Sequence, residues 1–337
     1  MTLLRSKLGD WLQLVRLPNL LTVPGDPIIG FFSWGSIRYF SAADKGYVDI
    51  GSVLMVVPCV IAALLLYAGG LVMNDLFDLN EDRRERPKRP LPSGRINVKV
   101  AAIVTVLLLV GGVLAASLNG PLCASIAALL AVAIASYNAG AKRIPIIGPL
   151  NMGLCRGLSV FMGLAISSSL GLGQDTPAAL LAWEKLSMLL TWPFYSITPM
   201  ILYIAAVTHI AASETKTTPM RIRPWLPAGI VTVWMCCVIY PHPVWDSVFD
   251  WITLGIIACL PVLNALVCGW RLKGSPAPST VQRNIGVLVG NLLLIQVAVV
   301  YFNSASTNAA IEAIPLALAL WAAFLFFIWL SKRFYAS

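Results

Sequence analysis

Ile61-Ala62-Ala63-Leu64-Leu65-Leu66-Tyr67-Ala68-Gly69-Gly70-Leu71-Val72-Met73-Asn74-Asp75-Leu76-Phe77-Asp78-Leu79-Asn80-Glu81-Asp82 starts as hydrocarbon and ends as acid. The apolar part reaches back to residue 51, and a helix of that length crosses a bilayer core of about 30 Å. If the helix runs on through the acidic part, residues 75, 78 and 82 fall within roughly 60° of one another, so three carboxylates share one face at a membrane mouth. Crowded anions repel unless a cation joins them. Asp and Asn oxygens with room left for water and phosphate suit Mg²⁺, whereas Zn²⁺ would want His or Cys. A merely solvated acidic helix end would set negative charge against the helix dipole.

The whole chain agrees with a membrane setting. Its 337 residues are 58% hydrophobic and 12% charged, with a mean hydropathy of +0.81. Soluble domains carry about 25% charged residues, so a soluble enzyme, a disordered chain and a disulfide scaffold are all excluded. Seven cysteines lie in apolar segments without C-x-x-C spacing and read as small buried hydrophobes. Prolines and Asp26 interrupt the first apolar run, which has no small-residue cleavage site, so no cleaved signal peptide is expected.

Apolar runs fall at 17–37, 51–73, 100–118, 121–139, 146–170, 187–209, 224–241, 251–270, 284–302 and 312–331. The expectation is an all-α, multi-pass integral membrane protein, a single domain over 1–337 with nine or ten transmembrane helices. Net charge is +9, which is read as topology rather than nucleic-acid binding, since no separate basic domain or stacking platform is present. With the N-terminus inside, only Arg38, Lys45 and Lys185 fall outside and Arg156 falls within a span. That asymmetry satisfies the positive-inside rule and puts loops 74–99 and 209–223 in the cytoplasm, in a cell or inner membrane.

The first of those loops continues Arg83-Arg84-Glu85-Arg86-Pro87-Lys88-Arg89-Pro90-Leu91-Pro92-Ser93-Gly94-Arg95. Beyond anchoring the topology, five positives between 83 and 89, stiffened by proline and set beside a metal site, are what a diphosphate needs. Because the site opens beside hydrocarbon, a lipid diphosphate fits better than a soluble nucleotide.

Asn74-Asp75-x-x-Asp78-x-x-x-Asp82, followed by Arg86-Pro87-x-Arg89-Pro90-Leu91-Pro92-Ser93-Gly94, resembles the UbiA superfamily of intramembrane prenyltransferases. Arg16-Leu17-Pro18-Asn19 and the segment from Tyr137 to Lys142 extend the resemblance over residues 16 to about 160. It implies a bundle around a central cavity, Mg²⁺ on Asn74, Asp75, Asp78 and Asp82, Lys142 on the diphosphate, and an isoprenoid tail between helices. The partners implied are a prenyl diphosphate, an unidentified acceptor for which aromatic compounds are candidates, and membrane lipids. The expected chemistry is loss of diphosphate from an allylic carbon and capture of the developing cation by the acceptor.

The family's second Asp-rich motif is missing. Tyr203-Ile204-Ala205-Ala206-Val207-Thr208-His209-Ile210-Ala211-Ala212-Ser213-Glu214-Thr215-Lys216 stands there, and on a continuing helix His209, Ala212 and Lys216 repeat the spacing of the first motif. Lys216, with His209, is expected to supply charge that a second metal would bring. Divergent UbiA-like proteins encoded in bacterial metabolite gene clusters, the EboC-like branch, show a similar loss. Intramembrane charges usually face a cavity or a partner, which adds Asp26 and Arg156. The candidate catalytic residues are thus Asp75, Asp78, Asp82, Lys142 and Lys216. Candidate substrate contacts are Asn74, Arg83, Arg89, Tyr137, Lys142, Asn151, Arg156, Tyr203, His209 and Asp26. The competing expectations are a lipid carrier or transporter on the same bundle, and an alcohol phosphatidyltransferase, whose D-G-x-x-A-R pattern is absent from the sequence.

Overall fold

The computed structural model describes residues 2–32, 54–172, 183–212, 220–239, 248–305 and 310–334. They are helical almost throughout; the one β contact among them is the bridge Met220–Gly274. In chain order the helices are α1 (Thr2–Leu14), α2 (Leu17–Leu20), α3 (25–32), α4 (Val57–Phe77), α5 (Leu79–Glu85), α6 (Val98–Ser117), α7 (Pro121–Ala139), α8 (Ile147–Leu172), α9 (Trp183–Ala211), α10 (Leu226–Ile239), α11 (Val248–Leu272), α12 (Pro278–Ala305) and α13 (Ala310–Phe334).

Each apolar run from 51–73 onward coincides with a helix, and among the described residues six of these are long and apolar enough to cross a membrane. The first run, 17–37, is not one helix. Arg16 takes a left-handed backbone (φ 47°, ψ 60°), Pro18 occupies the first turn of α2, and the chain bends over 21–24 before α3 begins. Proline is tolerated in a first turn, where its missing N–H would be unpaired anyway. Pro18 and Pro27 therefore start helices here, and the run between them breaks.

The bundle packs α4 against α6 and α7, α8 against α7 and α9, and α12 against α11, α13, α9 and α10. The spans α8 and α12 are the most buried. By contrast α6 turns Ile103, Val106, Leu107, Val110 and Leu114 outward, a lipid-facing surface. Small residues let backbones meet where α3 crosses α8: a Cβ on Gly30 would collide with the Val160 carbonyl, and one on Gly163 with the Pro27 carbonyl.

Candidate active site

The acidic motif sits where α4 ends. Asn74 and Asp75 close its last turn, Asp78 leaves helical geometry (φ −89°, ψ 4°), and α5 carries Glu81 and Asp82 onward at a new angle. The expected single face of three carboxylates is corrected at this point. Among the described residues no group of three His, Cys, Asp or Glu side chains could hold a metal.

The aspartates are instead divided among cations from three other parts of the chain. Arg89 Nη1 lies 2.8 Å from Asp82 Oδ2 and 3.7 Å from Asp75 Oδ1, so one guanidinium stands between two carboxylates. Arg16 Nη2 approaches Asp75 Oδ1 at 3.5 Å. Lys142 Nζ donates to Asp78 Oδ1 at 2.5 Å and to Asn74 Oδ1 at 3.1 Å. Asp75 and Asp82 are both buried. Two nearby anions in such a place repel strongly, and charge-assisted bonds to Arg89 offset that cost.

Local folding explains the convergence. After α5 the loop turns back through Arg89 N to Arg86 O (3.1 Å), Ser93 N to Arg89 O (3.0 Å) and Ile96 N to Pro90 O (3.2 Å). Leu91 and Ile96 then seat in a small core with Leu14, Val72 and Ala101, which lays the loop across the end of α4. Lys142 belongs to the tight turn Ala141–Arg143 that follows Gly140 at the end of α7.

Tyr137 is half-buried and lies within electrostatic reach of Arg16 and Asp78. Arg83 is exposed and forms no ion pair among the described residues. Asn151 links α8 to α7 through a 2.7 Å bond from its Nδ2 to Ser136 Oγ.

Arg156 and Asp26 meet each other. Arg156 Nη2 donates to Asp26 Oδ1 (2.9 Å) and to the Thr22 carbonyl (2.8 Å), while its Nε lies 2.8 Å from Asp26 Oδ2. Gln296 Nε2 donates to the same two acceptors at 2.9 and 2.8 Å, and the Tyr67 ring lies under the guanidinium. The group is buried and joins the broken first span to α8 and α12. Tyr203 is also buried; its hydroxyl donates to the Leu288 carbonyl (2.7 Å) and accepts from Asn291 Nδ2 (3.4 Å). His209 sits in the last turn of α9, and Glu214 and Lys216 lie outside the described residues.

Arg16 is a site residue that the sequence reading did not assign. Its signal was a cation directly before Leu17-Pro18, where the chain must turn between two helices. Gln296 carried no signal of its own, being an amide in an apolar run.

A helical membrane bundle that gathers carboxylates, guanidinium groups and an amine at one end of its spans is suited to an enzyme acting on a polyanionic headgroup with an apolar tail. Comparison with known proteins narrows the class. The model of the UbiA prenyltransferase family matches residues 29–283, and the chain belongs to that family: it is a prenyltransferase. It is 29% identical over 250 residues to the digeranylgeranylglyceryl phosphate synthase of Methanopyrus kandleri, covering 72% of this chain and 86% of that protein. The enzyme of the same name from Sulfurisphaera tokodaii is 38% identical over 156 residues, covering 45% of this chain and 51% of the relative. The fold is that of a UbiA homologue from Aeropyrum pernix (TM-score 0.58, 14% identity, 84% and 96% of the two chains). It is also that of a UbiA homologue from Archaeoglobus fulgidus bound to GPP and Mg²⁺ (TM-score 0.54, 14% identity, 86% and 99%).

Proposed function

We propose that the chain, acting as one domain over residues 1–337, moves an isoprenyl group from a prenyl diphosphate to an acceptor at the mouth formed by Asp75, Asp78, Asp82, Arg89 and Lys142. The observation that carries this is the pair of cation positions: Asp75 with Asp82, and Asn74 with Asp78, each turn two oxygens toward one positive group. Such a donor set fits Mg²⁺, which takes a few carboxylates and completes its octahedron with water and phosphate oxygens. Asp75 and Asp82, with Asp78 and Asn74 beside them, are the residues that would hold one such ion. When bound, Mg²⁺ supplies positive charge to the leaving diphosphate.

The side chains do the rest. Arg89, Arg16 and Lys142 supply fixed positive charge to the diphosphate oxygens from three sides of the mouth. The allylic C–O bond breaks with its electron pair leaving on the diphosphate. The acceptor's nucleophilic atom forms the new bond to carbon and passes its proton to the released diphosphate. Apolar walls of α4, α7 and α8 keep water from the developing cation.

The relatives' name makes a prenylated glyceryl phosphate the first acceptor to test, with aromatic acceptors as the second arm. The excess of positives in the loops beside this mouth supports a cytoplasmic orientation in a cell membrane. The test is purified protein in detergent with radiolabelled geranyl and longer prenyl diphosphates, both acceptor classes, and Mg²⁺ or a chelator. Metal-dependent release of diphosphate with a prenylated product, lost in Asp75→Asn and Asp82→Asn, is expected. Binding that ignores the chelator and yields no product would overturn the proposal in favour of a carrier.

A further inference from the structure

We propose that Arg95 is a positioning residue: it ties the Lys88 carbonyl to the N-terminal helix α1, and so fixes where Arg89 stands between Asp75 and Asp82. The inference rests on the proposed function and names what controls that site.

Arg95 is exposed, yet its whole fork turns back onto the protein. Its Nη1 pairs with Asp10 of α1. Its Nη2 donates to the Lys88 carbonyl at 2.8 Å and approaches Gln13 Oε1, also on α1, at 3.5 Å. Nε donates to Ser93 Oγ at 3.1 Å. The carbonyl of Lys88 and the nitrogen of Arg89 share one rigid peptide plane, so holding the first restrains the backbone that carries the second.

The loop needs such a tie. Pro87, Pro90 and Pro92 remove three backbone donors from it. Gly94 takes φ 75°, the left-handed turn that swings Arg95 back over the loop. The apolar floor of Leu14, Leu91 and Ile96 fixes the loop's height but supplies no direction along the membrane plane. Four contacts from one planar fork do supply direction, which the single ammonium of a lysine could not. Arg16, the other guanidinium on Asp75, follows two residues after the end of the same helix α1, so both arginines that face this carboxylate are tied to α1.

The experiment uses the full chain in nanodiscs, with Arg95→Ala, Asp10→Asn, Arg95→Lys and the double variant Asp10→Asn/Arg95→Ala. Hydrogen exchange of residues 86–96 is followed by mass spectrometry without ligand. Affinity for geranyl diphosphate with Mg²⁺ and thermal stability are measured in parallel. Arg95→Ala should speed exchange at Arg89 and Ser93 and weaken binding about tenfold, the loss expected when charge-assisted bonds disappear, with little change in melting. Asp10→Asn should give a smaller version of both effects, Arg95→Lys only a partial rescue, and the double variant no more than Arg95→Ala alone. Weakened binding with unchanged exchange would overturn the proposal, because Arg95 would then touch the ligand itself. Faster exchange with unchanged binding would overturn it as well, leaving a structural staple. A wild-type protein that binds no geranyl diphosphate refutes the proposed function, and exchange alone then decides the tie between Arg95 and the loop.

Discussion

Replacing Arg156 by methionine removes the cation from a buried group that has no water to turn to. Asp26 is fully buried and would keep only Gln296 Nε2, at 2.9 Å, while the Thr22 carbonyl would lose one of its two donors. Removing one partner of a buried ion pair costs about 3–5 kcal/mol, because the remaining charge is stranded. The broken first span would bear that cost, since Asp26 and Thr22 belong to it and Arg156 and Gln296 hold it to α8 and α12. At roughly 2 °C per kcal/mol for a large domain, melting in detergent, followed by temperature-dependent size-exclusion chromatography, should fall by about 6–10 °C. Asp26→Asn should cost less, because an amide still accepts from Arg156 and strands no anion. The double variant Asp26→Leu/Arg156→Met should recover most of the loss, as apolar replacement of whole buried pairs often does. A single Arg156→Met variant as stable as wild type, yet weak in prenyl diphosphate binding, would refute this reasoning and return Arg156 to the substrate.

Lys142→Ala should lower turnover roughly a hundredfold, since it removes a fixed charge aimed at the mouth, and Lys142→Arg should restore part of it; steady-state rates with saturating Mg²⁺ decide. Gly163→Ala should destabilise the bundle by about 1–3 kcal/mol, because its Cβ would collide with the Pro27 carbonyl; unaltered melting would mean that α3 and α8 are free to separate. Lys216→Ala should lower prenyl transfer roughly tenfold if this residue supplies charge in place of a second metal, and unchanged turnover discards that idea.

The spans were legible because hydrocarbon leaves the backbone no alternative to helix, so length and hydropathy decide. The first span was misread for a reason visible only in three dimensions. Pro24 and Pro27 mark a break, but its geometry depends on Arg16 taking a left-handed turn and on Asp26 finding Arg156, 130 residues away. The acidic motif was legible as a cluster of carboxylates in need of counter-charge and misread as a single helix face. Asp78 leaves the helix where Lys142, 64 residues further on, draws its carboxylate aside. Composition and spacing tell which side chains need a counter-charge in hydrocarbon; they do not tell which of several cations will supply it. Asp26 and Arg156 each looked like a cavity group when considered singly, and the fold satisfies them with one another.

The charge balance at the mouth bears on how the enzyme would work with one acidic motif. Three acids, Asp75, Asp78 and Asp82, face three bases, Arg16, Arg89 and Lys142. The ligand-free mouth is thus near neutral, which keeps buried Asp75 and Asp82 affordable. A prenyl diphosphate brings more negative charge than a single Mg²⁺ carries, so the bound state needs further positive charge from somewhere. The stretch from Tyr203 to Lys216, where the resemblance expects a second acidic motif, holds a single acid, Glu214. The deficit then falls to fixed side chains such as Arg16, Arg89 and Lys142. Fixed cations hold their charge without a metal to load. On this argument, prenyl diphosphate binding should saturate with one Mg²⁺ per chain and depend on salt more steeply than in a homologue with both acidic motifs, because ammonium and guanidinium groups at an exposed mouth are screened where a coordinated metal is not.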